Sequence, residues 1–178
     1  MRTLKYVILG LLNRKPMTGY DIAKEFNFQL AEFWSANHSQ IYPELKKLVD
    51  EELLVFDIEI TGDILEKKVY KITERGRKDF NKWLNRDEPM EPTPKNVFRL
   101  RMYFSDGIQV ETRIRLLEHQ LLQHQKRHAF LCSQKVKYSS VPPLNSEEFG
   151  DYIVIESAIL REESTIKWLE NCIGYCKK

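Results

Sequence analysis

Three groups of side chains in this sequence are suited to chemistry. Ser39, Gln40, Tyr42, Pro43, Lys46 and Lys47 form the first. Their hydroxyl, amide and phenol groups can meet base edges or phosphates, and the two ammonium groups can neutralise phosphate charge. Lys67, Lys68 and Lys71 form a second, purely cationic group. The third is His124, His128 and Cys132, spaced at intervals of four. Imidazoles and a thiol are donors for a soft or borderline metal, and this spacing puts all three on one helix face. Three ligands along one straight helix span about 12 Å, however, which is too far for a single ion. Only adjacent pairs could share a metal, so none is expected, and no cofactor either. The simpler reading is His–Glu hydrogen bonding in a helical seam, with Glu162 or Glu156 as the acid; small-ligand sensing there is the other. With 7 glycines and no G-x-G-x-x-G, P-loop or nucleophile elbow, the chain offers no catalytic residue and is not expected to be an enzyme.

The background composition is that of an ordinary globular protein. Of 178 residues, 42% are apolar and 30% charged, too apolar for disorder. The formal net charge is only +2, which excludes a polybasic, histone-like binder. Any contact with nucleic acid must come from a local basic face. The cysteines, Cys132, Cys172 and Cys176, are an odd and sparse set that suits a reducing cytosol better than a disulfide scaffold. Cys172 and Cys176 fall where a last helix is expected to fray and read as two plain thiols. The longest apolar run, Tyr6 to Leu12, is too short for a bilayer and lacks a cleavage site, so a core helix of a cytoplasmic protein is expected.

The elements that must position these groups follow from hydrophobic period. Leu4, Ile8, Leu11 and Leu12 mark a first helix, stopped by Pro16. Thr18 with Asp21 makes a capping-box start for a second helix with the stripe Ile22, Phe26, Leu30 and Phe33. A third helix follows His38, with Ile41, Leu45, Leu48 and Val49 inward and Pro43 in its first turn. The period then becomes two. Leu54, Phe56, Ile58 and Ile60 form a half-buried strand, Gly62-Asp63 a turn, and residues 67–72 the returning strand. Thr73 can cap a fourth helix bearing Phe80, Trp83 and Leu84. This order predicts a winged helix-turn-helix over residues 1–86. Pro89, Pro92 and Pro94 stiffen a linker at 87–95.

Residues 96–178 read as wholly helical, so the fold class is mostly α. A short helix ends before Asp106-Gly107. A long one places Val110, Ile114, Leu117, Leu121, His124, His128, Leu131 and Lys135 on one seam, and the last helix answers with Tyr152, Ile155, Ile159, Glu162, Ile166, Leu169 and Ile173. These seams exceed what one short domain hides. Ile114, Leu117, Leu121, Ile159, Ile166 and Leu169 are therefore the residues expected to make a homodimer. Trp34, Trp83 and Trp168 are possible exceptions to the rule that the aromatics sit on core stripes.

Several stretches together resemble the PadR-like transcriptional regulators. They are Tyr6-Val-Ile-Leu-Gly-Leu-Leu12, Met17-Thr-Gly-Tyr-Asp-Ile22, Ser39-Gln-Ile-Tyr-Pro-Glu-Leu-Lys-Lys-Leu48 and Val69-Tyr-Lys-Ile-Thr-Glu-Arg-Gly76. The second half, with Arg101-Met-Tyr-Phe-Ser-Asp-Gly107 opening a long helix, is similar to the C-terminal domain of virulence-activator-type relatives. The resemblance implies a homodimeric DNA-binding regulator, usually a repressor, dimerised by its C-terminal helices. It also implies that a small aromatic effector can be a partner. One departure is Glu52, where the family commonly has glycine.

Within that frame, the N-terminal end of the third helix is the end expected to dock on a DNA operator, because Asp50-Glu51-Glu52 would repel it at the other. Tyr42 can contact DNA or brace the helix. Lys67, Lys68 and Lys71 can meet phosphates or can merely block edge-to-edge strand pairing. Arg2 and Lys5 are weaker candidates. An effector is expected between the C-terminal helices or at their junction with the winged domain, near His124, His128 and Glu162. The alternative is a sensing or protein-interaction module whose winged helix no longer binds DNA.

Overall fold

The computed structural model describes residues 2–26, 38–61, 65–90 and 92–178. Leu30, Phe33, Trp34 and the Gly62-Asp63 turn lie outside them. The chain divides into two compact units, residues 1–90 and 91–178, and each is described by itself. Among the described residues no helix is long and apolar enough to cross a membrane.

The N-terminal unit runs α1 (Thr3–Arg14), β1 (Met17–Thr18), α2 (Gly19–Glu25), α3 (His38–Asp50), β2 (Leu54–Thr61), β3 (Leu65–Ile72) and α4 (Glu74–Leu84). The period-3.6 segments became helices and the period-2 segment became β2, paired antiparallel with β3 from Leu54↔Ile72 to Thr61↔Leu65. One strand was not legible. Met17 and Thr18 pair with Tyr70 and Val69 on the other side of β3, giving the sheet order β1-β3-β2. Two residues are too few to show a period, and only tertiary pairing makes them a strand.

The core joins Ile8, Leu9 and Leu12 of α1 to Ile22 of α2, Ile41, Leu45 and Leu48 of α3, and Leu54 at the root of the wing. On α1 the fully buried face is Tyr6, Ile8, Leu9 and Leu12, while Leu4 and Leu11 are only half-buried. Trp83 belongs to this core, stacked on Tyr6 at 4.7 Å. Of the stripe on β2, Leu54 is buried, Phe56 half-buried and Ile58 exposed.

Between α3 and β2 the chain turns through Glu52, whose φ is 57°. The Leu53 amide donates to the Leu48 carbonyl and the Glu52 amide to that of Val49, each at 2.9 Å. This is a Schellman cap, and its left-handed residue is where glycine would be unstrained. Glu52 therefore makes a left-handed turn that glycine would make without strain, at a conformational cost, and the α3–β2 connection is kept. Thr73 caps α4, accepting from the Gly76 amide at 3.0 Å and donating to the Glu52 carbonyl at 2.8 Å. A Cβ at Gly76 would collide with the Leu53 carbonyl.

The C-terminal unit holds α5 (Val97–Tyr103), a 3-10 turn (Ser105–Gly107), α6 (Val110–Lys135) and α7 (Glu147–Cys176). Ser146 caps α7 by accepting from the Phe149 amide at 3.2 Å. The two long helices pack on each other through two small clusters. Leu117, Leu169 and Ile173 make one, joined by Phe98, Met102 and Trp168; Leu131, Ala158 and Ile159 make the other. Cys172 and Cys176 pack against the first cluster instead of lying in a frayed end, and burial pushes the Cys172 thiol above its ordinary range.

Candidate nucleic-acid interface

α3 presents two unlike faces. Ile41, Leu45 and Leu48 are completely buried, while Ser39, Gln40, Tyr42, Pro43, Lys46 and Lys47 are all exposed. Pro43 lies five residues past His38, inside the helix and not in its first turn. It removes the amide that would bond the Ser39 carbonyl, so the ladder is interrupted on the solvent side. Glu44 was missed as a structural residue. It is buried between Ile41 and Leu45, and Arg2 holds its Oε1 through Nε at 3.0 Å and Nη2 at 2.7 Å.

The two weaker candidate cations, Arg2 and Lys5, are both paired within the unit. Arg2 bonds Glu44 and Glu51 together, and Lys5 sits 2.6 Å from Asp79. Both cations are committed inside the unit, at the end of α3 remote from Ser39. The Arg2 guanidinium partly offsets the acidic end of the helix, and its hydrogen bond holds the Glu51 carboxyl below the usual range, so Glu51 stays ionised beside it.

The three wing lysines differ. Lys68 lies over the Phe56 ring, 4.3 Å from its centroid, and Lys67 stands across from Glu59 on the other face of the hairpin. Lys71 is 2.6 Å from Asp57, a bond that raises its pKa and occupies its charge. The strand period assigns neighbouring residues to opposite faces, so Lys67 and Lys68 are not one cationic pair.

A groove of about 730 Å³ runs beside Tyr42, lined by Thr18 to Asp21, Tyr42, Tyr70 and residues Glu66 to Lys68. It joins the exposed face of α3 to the wing. Tyr20, 67% exposed, is a groove residue that the sequence reading passed over; its position beside Gly19 in the quoted Met17–Ile22 stretch was the available signal. Phenols beside cationic Lys67 and Lys68 make a surface chemically suited to a sugar–phosphate backbone.

In the C-terminal unit the structure brings His124 and Glu162 together: Nδ1 is 2.5 Å from Oε2, and Arg127 Nε is 3.3 Å from Oε1. Glu162 is 5% exposed, so an acid inside the seam is met by two basic groups. His128 instead faces Glu163 at 3.3 Å and Cys132 Sγ at 3.6 Å. Glu156 bonds Lys135 at 2.8 Å and not a histidine. Among the described residues no three His, Cys, Asp or Glu side chains gather as ligands for one ion. Leu117, Ile159 and Leu169, expected at a dimer interface, are covered by the chain's own α6–α7 packing; Ile114, Leu121 and Ile166 are half-buried. α6 and α7 pack on each other as their stripes allow, and the apolar surface left open lies at other positions, Leu122, Phe130, Ile153 and Leu160 among them.

Comparison with known proteins gives a consistent picture. Residues 8–82 match the transcriptional regulator PadR-like family, and residues 94–177 match the virulence activator alpha C-terminal family. The negative transcriptional regulator PadR of Bacillus subtilis is 41% identical over 184 aligned positions, covering 100% of both chains. The crystal structure of Bacillus subtilis PadR in complex with operator DNA superposes with a TM-score of 0.93 at 39% identity, covering 98% of this chain and 99% of that one. Its complex with p-coumaric acid gives 0.87 at 37% identity, covering 99% and 100%. The winged helix, the exposed polar face of α3 and this full-length likeness lead to one conclusion: the chain belongs to the PadR-like family of transcriptional regulators.

Proposed function

We propose that this protein is a homodimeric repressor that binds a pseudo-palindromic operator and leaves it when a small aromatic acid binds. The observation that carries the DNA reading is the complete segregation of α3, with every polar residue named from sequence exposed on the face that borders the lysine-lined groove. Ser39, Gln40, Tyr42, Pro43, Lys46 and Lys47 face the major groove, while Tyr20, Lys67 and Lys68 hold the backbone. Lys71 is a lesser contributor because of Asp57.

The dimer reading rests on apolar surface that one copy leaves open. Leu122, Phe130, Ile153 and Leu160 on the two long helices are each more than two-fifths exposed. A second copy would cover them and extend the half-buried Ile114, Leu121 and Ile166. The effector reading rests on the relative crystallised with p-coumaric acid.

Duplexes selected by the protein from a random pool provide the test. Affinity should fall steeply with added salt, with a log–log slope near −0.9 for each phosphate neutralised. Lys67→Ala and Lys68→Ala should each lower that slope by about one, and Gln40→Ala should relax discrimination at particular base pairs. Binding that is absent or indifferent to salt would favour the protein-interaction alternative. Release titrated with p-coumarate on wild type and on a His124→Ala, His128→Ala double variant tests the effector; an unchanged response in the variant removes the polar seam from sensing.

A further inference from the structure

Gly19 is the first residue of α2, and its backbone is in a conformation open to any residue. Neither a left-handed φ nor a turn requires glycine there. What requires it is the neighbouring helix: a Cβ at Gly19 would lie 2.7 Å from Cε1 and 3.3 Å from Cζ of Tyr42. The first distance is inside van der Waals contact, so the ring lies against the bare Cα. Building on the DNA-binding reading above, we infer that Gly19 is a positioning residue for operator recognition, its missing side chain forming the seat that fixes the Tyr42 ring in the groove beside Lys67 and Lys68.

The seat cannot yield. Thr18, the preceding residue, pairs with Val69 across the sheet. It is also locked to Asp21 by a capping box, with its amide 3.2 Å from Oδ2 and its Oγ1 accepting from the Asp21 amide at 3.1 Å. Gly19 itself is buried. The backbone under Tyr42 is equally fixed, because Ile41 and Leu45 are fully buried. A methyl group at Gly19 therefore displaces the part free to rotate, the Tyr42 side chain about χ1 and χ2. The displaced ring is 47% exposed and lines the groove, so the change falls on the interface and not on the core. Tyr42 and Tyr70 both line this groove, and burial, and after it the nearby Tyr42, raise the Tyr70 hydroxyl above its ordinary range.

The test is a double-mutant cycle on the full-length protein, read by fluorescence anisotropy on a duplex that wild type selects from a random pool. Gly19→Ala should weaken that duplex by about tenfold, the scale of one lost contact. It should leave the salt slope unchanged, because a neutral phenol releases no counterion. In a Tyr42→Phe background the ring remains, and Gly19→Ala should still cost its full factor. In a Tyr42→Ala background the ring is gone and the same change should cost nothing further. If Gly19→Ala is too unstable to assay, melting temperatures replace affinities; recovery in the Tyr42→Ala background supports the seat, and an equal loss in both backgrounds overturns it. Wild-type affinity in Gly19→Ala, or an equal loss with and without the Tyr42 ring, likewise overturns it while leaving the DNA reading intact. A wild-type protein that selects no duplex overturns both.

Discussion

The two units bury apolar surface in different ways. In the N-terminal unit, α1, α2, α3 and the base of the wing close around one continuous cluster in which Ile8, Leu9, Ile22, Ile41, Leu45 and Leu48 reach zero or near-zero exposure. In the C-terminal unit two long helices share a single seam, and the hydrogen-bonded pair His124–Glu162 sits on it between two small clusters. Elements from several directions can enclose a core, whereas two helices side by side can each hide only one stripe. Phe130 at 55% exposure and Leu160 at 59% mark the surplus. The first unit holds a closed core, and the second leaves apolar surface open.

The largest expected effect tests the first half of that contrast. Leu45→Ala should cost about 3 kcal/mol in urea unfolding, since a fully buried leucine leaves a cavity in the core that its neighbours fill only in part. A loss below about 1 kcal/mol would mean that the N-terminal core is as loose as the seam. The second half predicts the opposite separation of effects. Phe130→Ser with Leu160→Ser should loosen a dimer by about tenfold or more in sedimentation velocity, the scale of a truncated interface anchor. The unfolding of the single chain should change by less than about 0.5 kcal/mol, as expected for exposed sites. An unchanged dimer would show that another surface closes the unit.

Glu162 offers a third comparison, between a polar seam and an apolar core. Glu162→Ala should cost about 2 kcal/mol, less than a fully buried pair, because His124 and Arg127 are open enough to be rehydrated. Glu52 supplies a gain in place of a loss. Glu52→Gly should stabilise the N-terminal unit by about 1 kcal/mol by relieving the positive φ. The exposed contact of Glu52 with Arg75 that it removes contributes little.

The smallest effect is a pH response present in both units. The Arg2 hydrogen bond holds Glu51 below the ordinary 4.5, and the Lys135 hydrogen bond does the same for Glu156. Folded values below unfolded ones mean stability that is fully present above the ordinary carboxylate pKa and lost as pH falls through the lowered one. In an acid titration followed by NMR, Arg2→Ala should move Glu51 back upward and leave Glu156 unchanged. A shift in both would mean that overall charge, and not the local bond, sets these values.

The sequence by itself determined the order of the helices and of β2 and β3, the Thr18 and Thr73 caps and the inward faces of α3 and α7. These are local: Thr18 and Asp21 cap a helix wherever it lies, and Ile41, Leu45 and Leu48 share a side through the 3.6 period alone. The same period separated Ser39, Gln40, Tyr42, Pro43, Lys46 and Lys47 from the core, so this part of the candidate site was readable. What period cannot supply is which neighbour a side chain meets. The sequence offered Arg2, Lys5 and Lys71 as free cations, and tertiary contact gave them Glu44, Asp79 and Asp57. It presented Lys67 and Lys68 as a pair, although the pleat of β3 assigns them to opposite faces. The C-terminal stripes read as enough for an α6–α7 contact and a partner chain together, and sequence could not show that Leu117, Ile159 and Leu169 are the ones α6 and α7 bury against each other. β1 and the Tyr42 seat at Gly19 were invisible for the same reason. Each depends on residues distant in the chain, and such pairings exist only once the elements have packed.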